Sequence, residues 1–210
     1  MTRDYQKRTA KEYNTFRKAF QWITCTLVYG LCYKALYGLK IEGRENLPKN
    51  GFYIIASNHV SAIDPFLVAD AVKRPVAFMA KVELFQNPFG RFFLDLLGAF
   101  AVDRTKLSAS TIKTVHALKQ TDWCLGIFPQ GTRETDGNMD NINKGFASFA
   151  KTLKCDILPV AITGATKDQR IAFKSNIKIK IGKPIPYSEN TDEMIKIWSE
   201  KIIELSEGKR

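Results

Sequence analysis

The hydrophobic pattern divides the chain into an opening helix and a long alternation of strand-like and helix-like segments. In the opening stretch Tyr13, Phe16, Phe20, Ile23 and Leu27 step by three and four, while Lys7, Lys11, Asn14, Lys18 and Gln21 fall on the opposite side. This spacing predicts an amphipathic helix. The apolar run "AFQWITCTLVYGLCY" stops at Lys34, short of the roughly 20 apolar residues that span a bilayer, and extending it to Leu39 buries that lysine. A secretory signal fits poorly, because the charged leader is long, carries acids and precedes no A-x-A-like cleavage site. Residues 1–39 therefore read as a helical membrane-interface segment, with Lys and Arg on one side and Phe, Trp and Ile on the other. An N-terminal helix packed on the core is the alternative.

After the loop "EGRENLPKNG", six short apolar runs read as strands: "FYIIAS", "VAFMA", "AFAVD", "CLGIF", "DILPVAI" and "IKIKIG". Between them "DPFLVADAV", "NPFGRFFLDLL", "SASTIKTVHALKQ" and "KGFASFAKTL" have helical period, and "TDEMIKIWSEKIIEL" closes the chain. Strand and helix in turn predict one α/β domain over residues 40–210, its sheet covered on both faces. In such folds the loops at strand C-termini carry the chemistry.

Composition narrows the classes. With 45% hydrophobic and 25% charged residues among 210, the chain is neither disordered nor collagen-like. A formal net charge of +11 calls for an anionic partner: nucleic acid, a membrane surface or a phosphorylated small molecule. Cys25, Cys32, Cys124 and Cys155 form neither a CxxC pair nor a Cys/His cluster, so neither a metal site nor a disulfide framework is indicated. This usage places the chain at a reducing, cytosolic face.

Two loops combine residue types suited to chemistry. In "SNHVSAIDPF", Asp64 can accept from the Nδ1–H of His59 and leave Nε2 free to take a proton, although Asp64 could equally be a helix cap and His59 an ordinary loop residue. No G-x-S-x-G elbow or adjacent cysteine supplies a nucleophile, so the hydroxyl to be activated belongs to the substrate. In "FPQGTRETDG", Gly131 admits close approach, Thr132 offers N–H and hydroxyl donors, and Arg133 supplies a planar fork for phosphate. The same residues would also fill a solvated turn. Lys81 and Arg104 each end a predicted strand and can reach a shared site, or serve as surface charges.

Taken together these segments resemble the blocks of the glycerolipid acyltransferase family, and in particular its 1-acyl-glycerol-3-phosphate acyltransferases. The N-H-x-x-x-x-D block corresponds to Asn58, His59 and Asp64. The block running from K-x-E-L to D-R corresponds to Lys81, Glu83, Leu84, Pro88, Gly90, Gly98, Asp103 and Arg104. The F-P-E-G-T-R block corresponds to Phe128, Pro129, Gln130, Gly131, Thr132 and Arg133, followed by Lys144 and Gly145, and the apolar-Pro-apolar triplet to Leu158, Pro159 and Val160. One departure stands out: Gln130 occupies the position where the family usually carries Glu, which bears on acceptor preference.

The resemblance implies a central mixed, mostly parallel sheet covered by helices, of the glycerol-3-phosphate acyltransferase-like type. It implies acyl transfer from acyl-CoA or acyl-carrier protein to the sn-2 hydroxyl of lysophosphatidic acid at an anionic bilayer surface, with the protein held peripherally on the cytoplasmic face. His59 is then the base and Asp64 its partner, and Lys81, Arg104, Gly131, Thr132 and Arg133 form the phosphate grip. Asn58, Gln130, Lys144 and Pro159 support them, and neither a metal nor a resident cofactor is expected. Acylation of another lysophospholipid is the nearest alternative, and a non-catalytic membrane-surface protein is a further one. A nucleic-acid-binding module is disfavoured because the aromatic residues do not interleave with the basic ones.

Overall fold

Side chains of successive strand residues point to opposite faces, and here each face has its own core. Ile54, Ala56, Ala77, Leu125 and Ile157 pack on one face with Val115, Leu118, Phe146 and Trp198. Their neighbours Ile55, Val76, Cys124 and Leu158 pack on the other with Leu67, Val68, Ala71 and Tyr33. Both faces of the sheet are thus dry, as expected where strands are near-continuous apolar runs. This architecture is seen in a computed structural model, which describes residues 5–103, 108–134, 139 and 141–207.

The strands are β1 (Lys40–Glu42), β2 (Ile54–Ser57), β3 (Val76–Lys81), β4 (Phe100–Val102), β5 (Cys124–Ile127), β6 (Ile157–Thr163) and β7 (Lys178–Ile181). They form one sheet in the order β1-β7-β6-β2-β5-β3-β4. Only the β6–β7 pairing of these strands is antiparallel, so the α/β fold with a mixed, mostly parallel sheet is as expected. Strand β1 has no counterpart in the sequence reading. Its three residues alternate exposed and half-buried side chains at the sheet edge, too short a run to register as a strand, and pairing with β7 is what holds it.

Helices α3 (Asp64–Val72), α4 (Pro88–Leu96), α5 (Ala109–Leu118), α6 (Gly145–Leu153) and α7 (Thr191–Glu207) fall within the predicted segments or extend them slightly. Asn87 and Ser108 cap α4 and α5 by accepting from backbone N–H groups of the first turn. Helix α3 is buried nearly all round, from Leu67 through Val72, so it needs a cover on the side away from the sheet.

The N-terminal segment is that cover. It runs as α1 (Thr15–Trp22), a π-helical stretch (Ile23–Gly30) and α2 (Leu31–Tyr37). The π stretch lies against α3 so tightly at Gly30 that an added Cβ would meet the Asp70 carboxyl at 2.8 Å. Lys34 pairs with the fully buried Asp70 at 3.1 Å, and Tyr29 stacks on Phe66 at 4.1 Å. The expected apolar face is divided: Tyr13 is buried and Phe20 half-buried, while Phe16, Ile23 and Leu27 remain exposed. The expected polar face is divided too. Gln21 is buried, accepting from Val76 N–H at 2.8 Å and donating to the carbonyls of Val76 and Leu97. Arg8 and Arg17, part of the basic leader, turn inward onto Asp95 of α4 at 3.0 and 2.7 Å. Among the described residues no helix is long and apolar enough to cross a membrane.

Candidate active site

Strands β2, β5 and β3 are adjacent and parallel, so the loops after them open on one edge of the sheet. His59 follows β2, Gln130 to Arg133 follow β5, and Lys81 ends β3. The β5 loop therefore lies between the other two.

The β2 loop is held from three sides. Asn58 is buried and spans to β6, its Oδ1 accepting from Ile162 N–H at 2.7 Å and its Nδ2 donating to Ile162 O at 2.9 Å. His59 N–H donates to Gln130 Oε1 at 2.8 Å, and His59 O accepts from Glu134 N–H at 2.8 Å. Below the loop, the indole N–H of Trp198 on α7 donates to Ala56 O at 3.0 Å. Backbone and amide groups paired from several sides in this way hold the loop in one conformation.

On that backbone the His59 Nδ1 meets Asp64 Oδ2 at 2.8 Å. Asp64 is fully buried, and the same oxygen accepts from the N–H groups of Val60 and Ser61, both at 2.7 Å. Its carboxylate thus reaches back into the loop and makes no side-chain cap on α3. The imidazole lies flat against Phe128, ring centroids 4.1 Å apart at 21°, and Phe128 in turn stacks on Phe78. With Nδ1 engaged and one face covered, Nε2 is the atom left to meet a proton. Among the described residues no hydroxyl or thiol hydrogen-bonds the imidazole.

The other expected site residues separate into groups. Gly131 has φ +73°, a left-handed conformation that favours glycine, and an added Cβ there would meet nothing. Arg133 is exposed beside it. The Thr132 hydroxyl donates to Glu134 Oε1 at 2.7 Å, and Lys81 pairs with Glu83 at 3.1 Å, so each already has a carboxylate partner. Gln130 is 8% exposed and its amide oxygen serves the His59 backbone. The structure gives this side chain a bracing position, where the sequence suggested a bearing on the acceptor. Lys144 pairs with Asp192 at the start of α7 at 2.8 Å, while its neighbours Asn143 and Gly145 line the cavity beside Phe128 and Gly131. Pro159 is buried in β6 beside Ala56, one residue past the last β6–β7 pair, where its missing N–H is tolerated. Arg104 lies outside the described residues.

Beside Phe128 and Gly131 a cavity of about 170 Å³ runs between the sheet and α6, walled by Met79, Val102, Phe146 and Phe149. Sequence reading did not assign its walls, because apolar residues on a strand or helix look the same whether they fill a core or line a pocket. Nor did it give Phe128 a role. Its place directly after an apolar strand was the available signal.

Residues 38–163 match the family described as Acyltransferase. The 1-acyl-sn-glycerol-3-phosphate acyltransferase of Bacillus subtilis is 30% identical over 177 residues, covering 80% of this chain and 88% of that one. That of Streptococcus pneumoniae is 34% identical over 139 residues, covering 65% and 51%. The crystal structure of the 1-acyl-sn-glycerophosphate acyltransferase PlsC from Thermotoga maritima superposes with a TM-score of 0.68 at 25% identity, covering 92% of this chain and 76% of that one. With the His–Asp loop and the neighbouring β5 loop in the order the family's blocks require, the chain belongs to the glycerolipid acyltransferase family and resembles in particular its 1-acyl-sn-glycerol-3-phosphate acyltransferases.

Proposed function

We propose that this protein moves a fatty acyl group from a thioester, acyl-CoA or acyl-carrier protein, to the sn-2 hydroxyl of lysophosphatidic acid. The observation that carries the reading is the His59–Asp64 pair at 2.8 Å, with a fully buried carboxylate and no internal nucleophile among the described residues. His59 Nε2 takes the acceptor hydroxyl proton as its oxygen attacks the thioester carbonyl. The C–S bond then breaks, and the leaving thiolate receives that proton from the imidazolium. Asp64 holds the ring and stabilises its charged form. No acyl-enzyme and no metal enter the scheme.

The backbone N–H groups of His59, Val60, Ser61 and Gly131 all have acceptors within the protein. Those of Thr132 and Arg133 have none among the described residues, and we assign to them the oxyanion of the tetrahedral intermediate. Arg133 is the principal partner of the acceptor phosphate. Lys81 joins it on release from Glu83, and Arg104 is a third candidate. The acyl tail enters the cavity between Met79 and Phe149. The exposed apolar residues of the N-terminal segment lay the molecule on the bilayer, at the cytoplasmic face, where the acceptor resides.

The test is acyl transfer by the purified protein with lysophosphatidic acid and each donor, beside His59→Ala. Loss of roughly 10²–10⁴ in kcat with unchanged far-ultraviolet dichroism is expected. Wild-type turnover by His59→Ala would overturn the mechanism. A preference for lysophosphatidylglycerol or lysophosphatidylethanolamine would overturn the acceptor.

A further inference from the structure

A larger cavity lies at the other end of the sheet. It measures about 330 Å³ and is bounded by α1 and the π stretch on one side and by the connection from α3 to β3 on the other. Its residues Lys73, Arg74 and Pro75 immediately precede β3, whereas the site described above follows the strands' C-termini. The two sites are therefore separated by the length of the strands. The walls are mostly apolar, from Ala19, Trp22, Cys25, Ala69 and Pro75.

The rim is cationic. Lys18, Lys73 and Arg74 all border the opening. Asp122 pairs with Lys18. Arg74 donates to the carbonyls of Gly51 and Asp122 and lies over the Tyr53 ring at 5.2 Å, contacts that fix the guanidinium without neutralising it. Lys73 has no ion pair among the described residues. As the C-cap of α3 it could simply answer the helix dipole, but the carbonyls of Asp70 and Ala71 already accept from Arg44. Its ammonium is exposed and open to an external anion.

An apolar slot with Lys73 and Arg74 at its mouth, and with Lys18 able to exchange Asp122 for a phosphate, fits an amphiphile with an anionic head. The volume is at the small end for ligand pockets, enough for part of one chain. Trp22 forms part of the wall and also belongs to the exposed apolar surface of the N-terminal segment, so the slot opens beside the face we assign to the bilayer. We propose that this cavity is a second lipid site, holding one anionic phospholipid of the membrane with its phosphate among Lys18, Lys73 and Arg74 and the upper part of one acyl chain against Trp22 and Ala69. The site rests on the surface attachment proposed above and is independent of the catalytic assignment.

Trp22 makes it measurable, because it is 53% exposed while Trp123 and Trp198 are both fully buried. The full-length protein is mixed with vesicles of phosphatidylcholine and phosphatidylglycerol at one fixed composition, with bromine on the chains of either lipid in turn. Phosphatidylglycerol is neither the proposed acceptor nor its product, so the catalytic site does not compete. The expected result is tryptophan quenching roughly five-fold greater per mole from brominated phosphatidylglycerol, the enrichment one cation gives at an anionic surface. Trp22→Phe should abolish the quench. The pair Lys18→Gln/Lys73→Gln should remove the preference, while Lys196→Gln/Lys201→Gln, an equal charge loss on α7, should keep it. Quenching in proportion to mole fraction, or loss of preference in both pairs alike, would overturn the site and leave surface attachment standing. No quench from either lipid would overturn both.

Discussion

His59 has three separate tethers, one to its side chain and two to its backbone, and they come from different parts of the chain. Asp64 is five residues away, so spacing offered it as a candidate partner, and the 2.8 Å contact decides between that and a helix cap. Gln130 and Glu134 are more than 70 residues away, and only the adjacency of β2 and β5 brings them in. This changes what Gln130 is expected to do. A glutamate there offers the same acceptor oxygen to the His59 N–H, so Gln130→Glu should leave the ranking of lysophospholipid acceptors unchanged in a competition assay. Gln130→Ala leaves a partly buried N–H without its partner, at a cost of about 1–3 kcal/mol. It should lower kcat more than it alters KM for the acceptor. A changed acceptor ranking in Gln130→Glu would return this residue to the substrate side of the site.

At the scale of elements, the N-terminal segment presents two different sides. Toward the protein it covers α3, whose first residue is Asp64, and contributes Tyr13, Cys25, Tyr33 and Leu39 to the cores. Outward it leaves Phe16, Trp22, Ile23, Leu27, Val28 and Leu31 exposed. On α4, Phe89 and Phe92 are exposed as well, at 87% and 66%. Exposed large apolar residues grouped on neighbouring helices are the usual sign of an interaction face. Deleting residues 1–39 would strip the cover from α3, so loss of vesicle binding by that truncation would not be specific. Substituting only outward residues is cleaner. Phe16→Ser/Ile23→Ser/Leu27→Ser should keep the thermal midpoint and lose co-sedimentation with anionic vesicles. Unchanged co-sedimentation would remove this stripe from the membrane face. Periodicity alone could not separate the two sides, since a helix with apolar residues both buried and exposed is apolar on both.

The whole molecule has an alkaline limit set by its cores. Burial raises the thiols of Cys25 and Cys155 from 9.0 to about 12 and that of Cys124 to about 11, with Asp70 adding to the rise at Cys25. Above about pH 9 the unfolded chain releases these protons and the folded one retains them. Stability is thus full below that pH and falls as pH rises toward the folded values, by roughly 1 kcal/mol per thiol near pH 10. Urea unfolding at about pH 8 and about pH 10 should show the decrease. At the lower pH a thiol reagent should modify Cys32, the exposed cysteine, well before the other three. Equal reactivity of all four would show that the cores open readily.

The sequence by itself determined the alternation of strand and helix and the covering of both sheet faces, because period and turn residues are local properties of the chain; it offered His59 and Asp64 as candidates, and the folded loop joined them. Tertiary structure decided the rest. Edge pairing made β1 a strand, and packing against Asp95 turned Arg8 and Arg17 inward. Strand order put Gln130 behind His59, and the start of α7 gave Lys144 its carboxylate partner. These outcomes depend on which distant segments become neighbours, and an isolated charge or amide gives no local sign of the partner it will meet.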